Sequence, residues 1–220
     1  MATGSGLGPA GKAPRATTPS QETSASPLLG RFLGRRRDHL PPSSAGRSCL
    51  PPVTLVLGGA RSGKSRYAER LVEDAALGGT YCATAEPGDA EMAARIAAHR
   101  ARRGLFWHTL EVPLRLAPVI ASEPTRERPL LIECLTLWLS NLLLAGGSVE
   151  EEAAALCSAL QLAPGPVVLV ANEVGMGLVP ETALGRQFRD AAGCLNQEVA
   201  ALADRVVFVA AGLPLLLKKG

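Results

Sequence analysis

From Val53 onward, short apolar runs alternate with longer segments whose apolar residues recur at helical spacing. The pattern predicts strands over 53–57, 80–84, 106–111, 129–134, 166–171 and 205–210. It predicts helices over 64–77, 89–103, 114–121, 135–144, 149–161 and 182–203. Val167-Val168-Leu169-Val170 and Val206-Val207-Phe208-Val209 are apolar at every position, which suits strands covered on both faces. Strand–helix alternation then implies an α/β fold built on a mostly parallel, doubly wound sheet. Gly212-Leu213-Pro214 reads as a turn into a last short strand, 215–218, forming an antiparallel edge. The most apolar stretch, Leu130 to Leu144, is interrupted by Glu133, Ser140 and Asn141. It falls short of the ~18 uninterrupted residues of a membrane span and reads as a buried strand followed by a helix.

Residues 1–50 lack any such period. They are rich in Gly, Pro, Ser, Thr and Arg, a composition that buries too little apolar surface to offset chain entropy. The expected organisation is a disordered tail over 1–50 and one nucleotide-binding catalytic domain over 51–220. The tail holds seven of the 23 Lys/Arg and two of the 20 Asp/Glu, so the overall charge of +3 comes from the tail. The domain is near neutral, and the basic pI gives no argument for nucleic-acid binding. Low acidity with Arg and Ser resembles a transit peptide, a dispensable tail is the preferred reading, and a mis-called leader upstream of a later start is the alternative. No apolar segment of signal-peptide length follows Arg35-Arg36-Arg37. Five scattered cysteines, without C-x-x-C spacing, read as buried reduced thiols of a cytoplasmic protein.

The clearest chemistry lies at 58–65: Gly58, Gly59, Ala60, Arg61, Ser62, Gly63, Lys64 and Ser65. This is G-x-x-x-x-G-K-S between a predicted strand and a predicted helix, the context of a phosphate-binding P-loop. Glycines let backbone N–H groups turn toward a triphosphate, and the helix N-terminus adds partial positive charge. Lys64 can reach the β- and γ-phosphates, and the Ser65 hydroxyl can ligate Mg²⁺. The fold class that follows is a P-loop NTPase-like three-layer sandwich. In such sheets ligands sit at the carboxyl ends of the strands. The residues to read are therefore Thr84 to Glu86, Glu111, Glu133, and Asn172 with Glu173. Glu133, ending a strand, can hold Mg²⁺ through water, or it can be simply an exposed strand-end acid.

Several motifs together narrow the class. They are LVLGGARSGKSRYAE (55–69), AEMAARIAAHRARR (90–103), LIECLTLWLSNLL (131–143), NEVGMGLVPETALGRQFRDAAGCLNQ (172–197) and AGLPLLLK (211–218). In this order the chain resembles the bifunctional adenosylcobinamide kinase / adenosylcobinamide-phosphate guanylyltransferase family of cobalamin nucleotide-loop assembly, from about Val53 to Lys218. The resemblance implies two reactions. One phosphorylates the aminopropanol hydroxyl of adenosylcobinamide with ATP or GTP. The other transfers GMP from GTP to that phosphate through a covalent histidine, giving adenosylcobinamide-GDP and pyrophosphate. The matching histidine is His99. The resemblance also implies nucleotide contacts at Thr84, Ala85, Glu86, Arg100, Ala101, Arg102, Arg103, Glu111 and Glu133, Mg²⁺ as cofactor, and a homo-oligomer, a trimer.

The residues themselves agree with this chemistry while leaving alternatives. A neutral imidazole is a competent nucleophile near pH 7. Arg100, Arg102 and Arg103 can neutralise developing phosphate charge and keep that imidazole neutral. Met92, Ile96 and His99 share a helical face, so a structural histidine bordering that face is the alternative. His108 is a rival nucleophile, although it stands in a predicted strand. The chain departs from the family at Pro87-Gly88-Asp89-Ala90, at Gly104-Leu105-Phe106 and at His108, all flanking His99. A P-loop small-molecule kinase without a covalent step would need Lys64, Ser65 and Glu133 but not His99. A nucleotide switch would need D-x-x-G and N-K-x-D, which Asn172-Glu173-Val174-Gly175 does not supply.

Overall fold

Six successive buried residues, Val53–Gly58, form β1, the centre of the sheet. The computed structural model describes residues 49–86, 88, 97 and 104–219. The expected tail up to residue 48, and the expected helix over 89–103 apart from Ala97, lie outside the described residues. In chain order the elements after β1 are α1 (Lys64–Ala75), β2 (Gly79–Ala83), β3 (Trp107–Glu111), α2 (Leu116–Ser122), β4 (Leu130–Glu133), α3 (Leu135–Leu144), α4 (Val149–Gln161), β5 (Val167–Asn172), α5 (Ala183–Leu202), β6 (Arg205–Ala210) and β7 (Leu213–Lys218). The sheet order is β3-β2-β4-β5-β1-β6-β7. All neighbouring pairs are parallel except β6 with β7, which run antiparallel.

The unbroken apolar runs follow from helices on both faces. Leu55 and Leu57 of β1 join Ile132, Leu169 and the inner faces of α2 to α5 in one cluster. Val56 joins Leu131, Val168, Val170, Val207 and the α1 residues Ala68 and Val72 in the other. Because side chains alternate across a strand, each strand must be apolar at every position to fill both layers. Burial of each of these leucines and valines contributes about 1.5–3 kcal/mol. Leu50, placed by composition in the tail, is buried in the α1-side cluster.

Two local expectations shift. β7 begins at Leu213 rather than 215, with Leu213 opposite Ala210 and Pro214 opposite Val209. The turn is Ala211-Gly212, both at positive φ (52° and 79°). Pro214 lacks a donor, and an edge strand tolerates that loss. The cysteines are free as expected, but only Cys82 and Cys134 are buried; Cys157 is half-buried, and Cys49 and Cys194 are exposed. Scattered spacing carries no signal for which face of an element a thiol occupies. Among the described residues no helix is long and apolar enough to cross a membrane.

Two outcomes test this packing. Trp138 is fully buried and its Nε1 donates to the Leu114 carbonyl at 2.6 Å. Trp138→Ala should cost about 3–5 kcal/mol, read from the urea midpoint. Burial, reinforced by nearby Glu123, pushes the Cys82 thiol up to about 12; burial, reinforced by Glu133, pushes Cys134 up to about 11. These thiols stay neutral in the fold while those of the unfolded chain ionise above 9.0. Their contribution to stability is complete below that pH and is lost as pH rises through the folded values. Iodoacetamide at about pH 8 should label Cys49 and Cys194 in the native protein and spare Cys82 and Cys134 until it unfolds.

Candidate active site

The loop from Gly58 to Gly63 turns the chain from β1 into α1, and its shape depends on two glycines. A Cβ on Gly58 would lie 2.5 Å from the Val209 carbonyl oxygen and 2.6 Å from Ser62 Oγ. Gly63 caps α1 in the left-handed region, φ 97°, and a Cβ there would meet Gly212 Cα at 3.2 Å. The loop closes on itself through Ser62 N–H to the Gly59 carbonyl at 3.2 Å. It is braced by Gly212 N–H donating to the Ser62 carbonyl at 2.7 Å. The first turn of α1 has neither a side-chain cap nor an acid, so its free N–H groups and dipole are available to an anion. By contrast, α4 and α5 are capped by Ser148 and Thr182. Lys64 is buried, with its ammonium donating to the Gly59 carbonyl at 3.3 Å across the loop. Ala60 and Arg61 are exposed at its tip.

Glu133 reaches this loop from β4. Ser65 Oγ donates to Glu133 Oε1 at 2.5 Å, although 68 residues separate them. A hydroxyl and a carboxylate converging at a helix N-terminus form the hard-oxygen pair that Mg²⁺ takes alongside substrate phosphates. The residues present therefore fit the ion. Among the described residues no cluster of three or more His, Cys, Asp and Glu could hold a metal.

Of the remaining expected contacts, Thr84, Ala85, Glu86 and Glu111 lie along the same carboxyl edge. Glu111 ends β3 opposite Ala83 and is exposed. It stands four strands from β1, about 19 Å at the usual strand spacing. Thr84 is buried, and its hydroxyl is committed to Cys134, donating to the carbonyl and accepting from the N–H, both at 2.8 Å. Its carbonyl accepts from Asn141 Nδ2 at 2.8 Å. Thr84 thus holds the ends of β2 and β4 together. Ala85 is half-buried and Glu86 exposed just beyond it. His99, Arg100, Ala101, Arg102 and Arg103 lie outside the described residues. His108 is exposed near the amino end of β3, away from the carboxyl edge that carries the loop.

Sequence reasoning missed the supports. Gly212 braces the loop from the β6–β7 turn, a long-range contact that leaves no local signal. Thr136 Oγ1 accepts from the Asn172 N–H at 2.7 Å, fixing the end of β5 beside the loop. The position of Thr136 at the start of a helix after Glu133 was the available signal.

Comparison with known proteins gives the arrangement its context. The family profile described as cobinamide kinase / cobinamide phosphate guanyltransferase matches residues 54–217. The bifunctional adenosylcobalamin biosynthesis protein CobP of Pseudomonas aeruginosa is 52% identical over 166 residues, 74% of this chain and 96% of that protein. The bifunctional adenosylcobalamin biosynthesis protein CobU of Salmonella typhimurium is 43% identical over 181 residues, 76% of this chain and 99% of that protein. Among solved structures, the flagellar accessory protein FlaH from Methanocaldococcus jannaschii aligns with TM-score 0.46 and 11% identity, over 80% of this chain and 82% of that one.

Gly63→Ala tests the loop. The strain of a side chain at φ 97° should cost about 1–3 kcal/mol of stability. Displacement of the loop N–H groups should weaken GTP binding at least about tenfold, equivalent to ~1.4 kcal/mol. Thermal melting with and without GTP and Mg²⁺ measures both; unchanged stabilisation by GTP would remove the loop from nucleotide binding.

Proposed function

The chain belongs to the cobinamide kinase / cobinamide phosphate guanyltransferase family, and from that premise we propose that it carries out both reactions on one P-loop site. It phosphorylates adenosylcobinamide with ATP or GTP, then transfers GMP from GTP to adenosylcobinamide phosphate through a guanylyl-His99 intermediate. The observation that carries this reading is the convergence of the 58–65 loop, Ser65 and Glu133 at the carboxyl edge of the sheet.

In the first reaction the aminopropanol hydroxyl attacks the γ-phosphorus, and the nucleoside diphosphate leaves. In the second, an imidazole nitrogen of His99 attacks the α-phosphorus of GTP and pyrophosphate leaves. A phosphate oxygen of adenosylcobinamide phosphate then attacks the same phosphorus, and the P–N bond breaks to restore His99. The loop N–H groups and Lys64 hold the triphosphate, while Arg100, Arg102 and Arg103 offset charge near the α-phosphate. Ser65 and Glu133 are the residues that would hold Mg²⁺. When bound, the ion neutralises charge on the β- and γ-phosphoryl oxygens. Glu111 accepts from the N1–H and N2 amine of guanine.

The loop after β5 exposes Met176, Leu178 and Val179 at the same edge, which supports an apolar contact with the corrin ring. The exposed leucines of β7, Leu213, Leu215, Leu216 and Leu217, support assembly into a homo-oligomer, a trimer by family resemblance.

The test is covalent labelling. The wild-type protein incubated with [α-³²P]GTP and Mg²⁺ should acquire an acid-labile label, and His99→Ala should acquire none and lose GMP transfer. Label persisting in the variant would remove His99 from the mechanism. Phosphoryl transfer without any label in the wild type would identify a kinase lacking the covalent step.

A further inference from the structure

Trp138 and Asn141 belong to the LIECLTLWLSNLL stretch, and neither reaction above has used them. Both reach from α3 to the connection between β3 and α2. Asn141 Nδ2 donates to the Thr84 carbonyl at 2.8 Å and to the Pro113 carbonyl at 3.1 Å, one for each hydrogen of the amide. Trp138 Nε1 donates to the Leu114 carbonyl at 2.6 Å. Pro113 and Leu114 belong to no strand or helix, and α2 opens without a side-chain cap. Two consecutive carbonyls of this connection are thus satisfied by side chains of α3. Removing such a donor leaves a carbonyl without its partner, which is costly where the chain is half-buried.

Register shows what this connection carries. Glu111 is level with Ala83, and Ala83 with Glu133, so the two acids end β3 and β4 on one line across β2. They stand two strand spacings apart, about 10 Å. Trp107 and Leu131 belong to the α1-side cluster, and Glu111 and Glu133 follow them by even steps, so both acids share the α1 face. On the β4 side the end of β2 is braced twice. Thr84 N–H donates to the Glu133 carbonyl at 3.0 Å, and the Thr84 hydroxyl pairs with Cys134. On the other side β3 is the edge of the sheet, with β2 its one neighbour among the described residues. Its last bond to β2 runs from Val112 N–H to the Ala83 carbonyl at 2.9 Å. A strand end held from one side opens readily unless something else ties it. Asn141 is that tie. It joins the residue after Ala83 to the second residue after Glu111.

We propose that Asn141 is a positioning residue for nucleobase selection. It fixes the β3–α2 connection against the end of β2 and so holds Glu111 at its distance from the Ser65–Glu133 pair. A nucleotide seated by its phosphates then presents guanine to the Glu111 carboxylate. The proposal rests on the reading of Glu111 as the acceptor for the N1–H and N2 amine of guanine. Trp138 supports the same connection one residue farther on. An amide suits the place because one planar NH2 group serves two carbonyls at once and adds no charge. Adenine carries no N1–H, so a reaction driven by ATP does not call on Glu111. The phosphate end is braced by the bonds of Thr84 to Glu133 and Cys134, which Asn141 does not make.

The test sets GTP against ATP in the full-length protein. GMP transfer from [α-³²P]GTP to adenosylcobinamide phosphate is compared with phosphoryl transfer from [γ-³²P]ATP to adenosylcobinamide. Asn141→Ala should raise KM for GTP about tenfold with kcat within about threefold, and leave KM for ATP within about twofold. Trp138→Phe keeps the apolar ring but lacks the N–H donor, so it should shift GTP in the same direction and spare ATP. Glu111→Ala should itself raise KM for GTP, and in that background Asn141→Ala should add no further rise. Thermal melting confirms that the variants are folded. Equal losses with GTP and ATP would assign Asn141 to general packing and overturn the proposal. An unchanged KM for GTP in both folded variants, or a further rise in the Glu111→Ala background, would overturn it too. An unchanged KM for GTP in Glu111→Ala alone would overturn the parent reading of Glu111 and this inference with it.

Discussion

The parallel register of β1 with β5 and of β5 with β4 is the constraint on which the rest of the structure depends. It sets Gly58 beside Asn172 and Val170 beside Glu133, so that loop, amide and carboxylate arrive at one edge. A slip of one residue in any of these strands would turn its side chains to the opposite face. Glu133 would then point among α2 to α5, and its bond to Ser65 could not form. Because β1, β4 and β5 are apolar on both faces, alternation does not distinguish this register; the fit of each side chain in its own cluster does.

The second support comes from the far side of the loop. β6 pairs with β1, and its end carries the Val209 carbonyl that Gly58 must approach closely. The turn from β6 into β7 supplies the Gly212 N–H that holds the Ser62 carbonyl. The phosphate loop is thus clamped between two strand ends, and the exposed leucines of β7 sit on the strand that completes this clamp.

Much of this was legible in the residues. The 58–65 motif and the strand runs are local patterns, and local patterns survive in sequence. The antiparallel edge was legible too, but its start was not. Pro214 reads as a breaker, and only the edge position of β7 explains why the strand accepts it. Thr84 was legible as a residue after a strand, yet the commitment of its hydroxyl to Cys134 depends on β2 and β4 being neighbours. Asn172 was visible in the same way. Its place beside Gly58 depends on β5 pairing with β1. Strand order and register are long-range properties, and a single chain does not spell them out.

The central claim is that this one edge acts on two different phosphorus atoms of its nucleotide. The most direct measurement is the product mass after incubation of the protein with GTP and Mg²⁺ and either adenosylcobinamide or its phosphate. The account predicts adenosylcobinamide-GDP from both, with the phosphate appearing first when adenosylcobinamide is supplied and pyrophosphate released in step with the final product. Phosphate ester as the only product from adenosylcobinamide, with adenosylcobinamide phosphate returned unchanged, would contradict it.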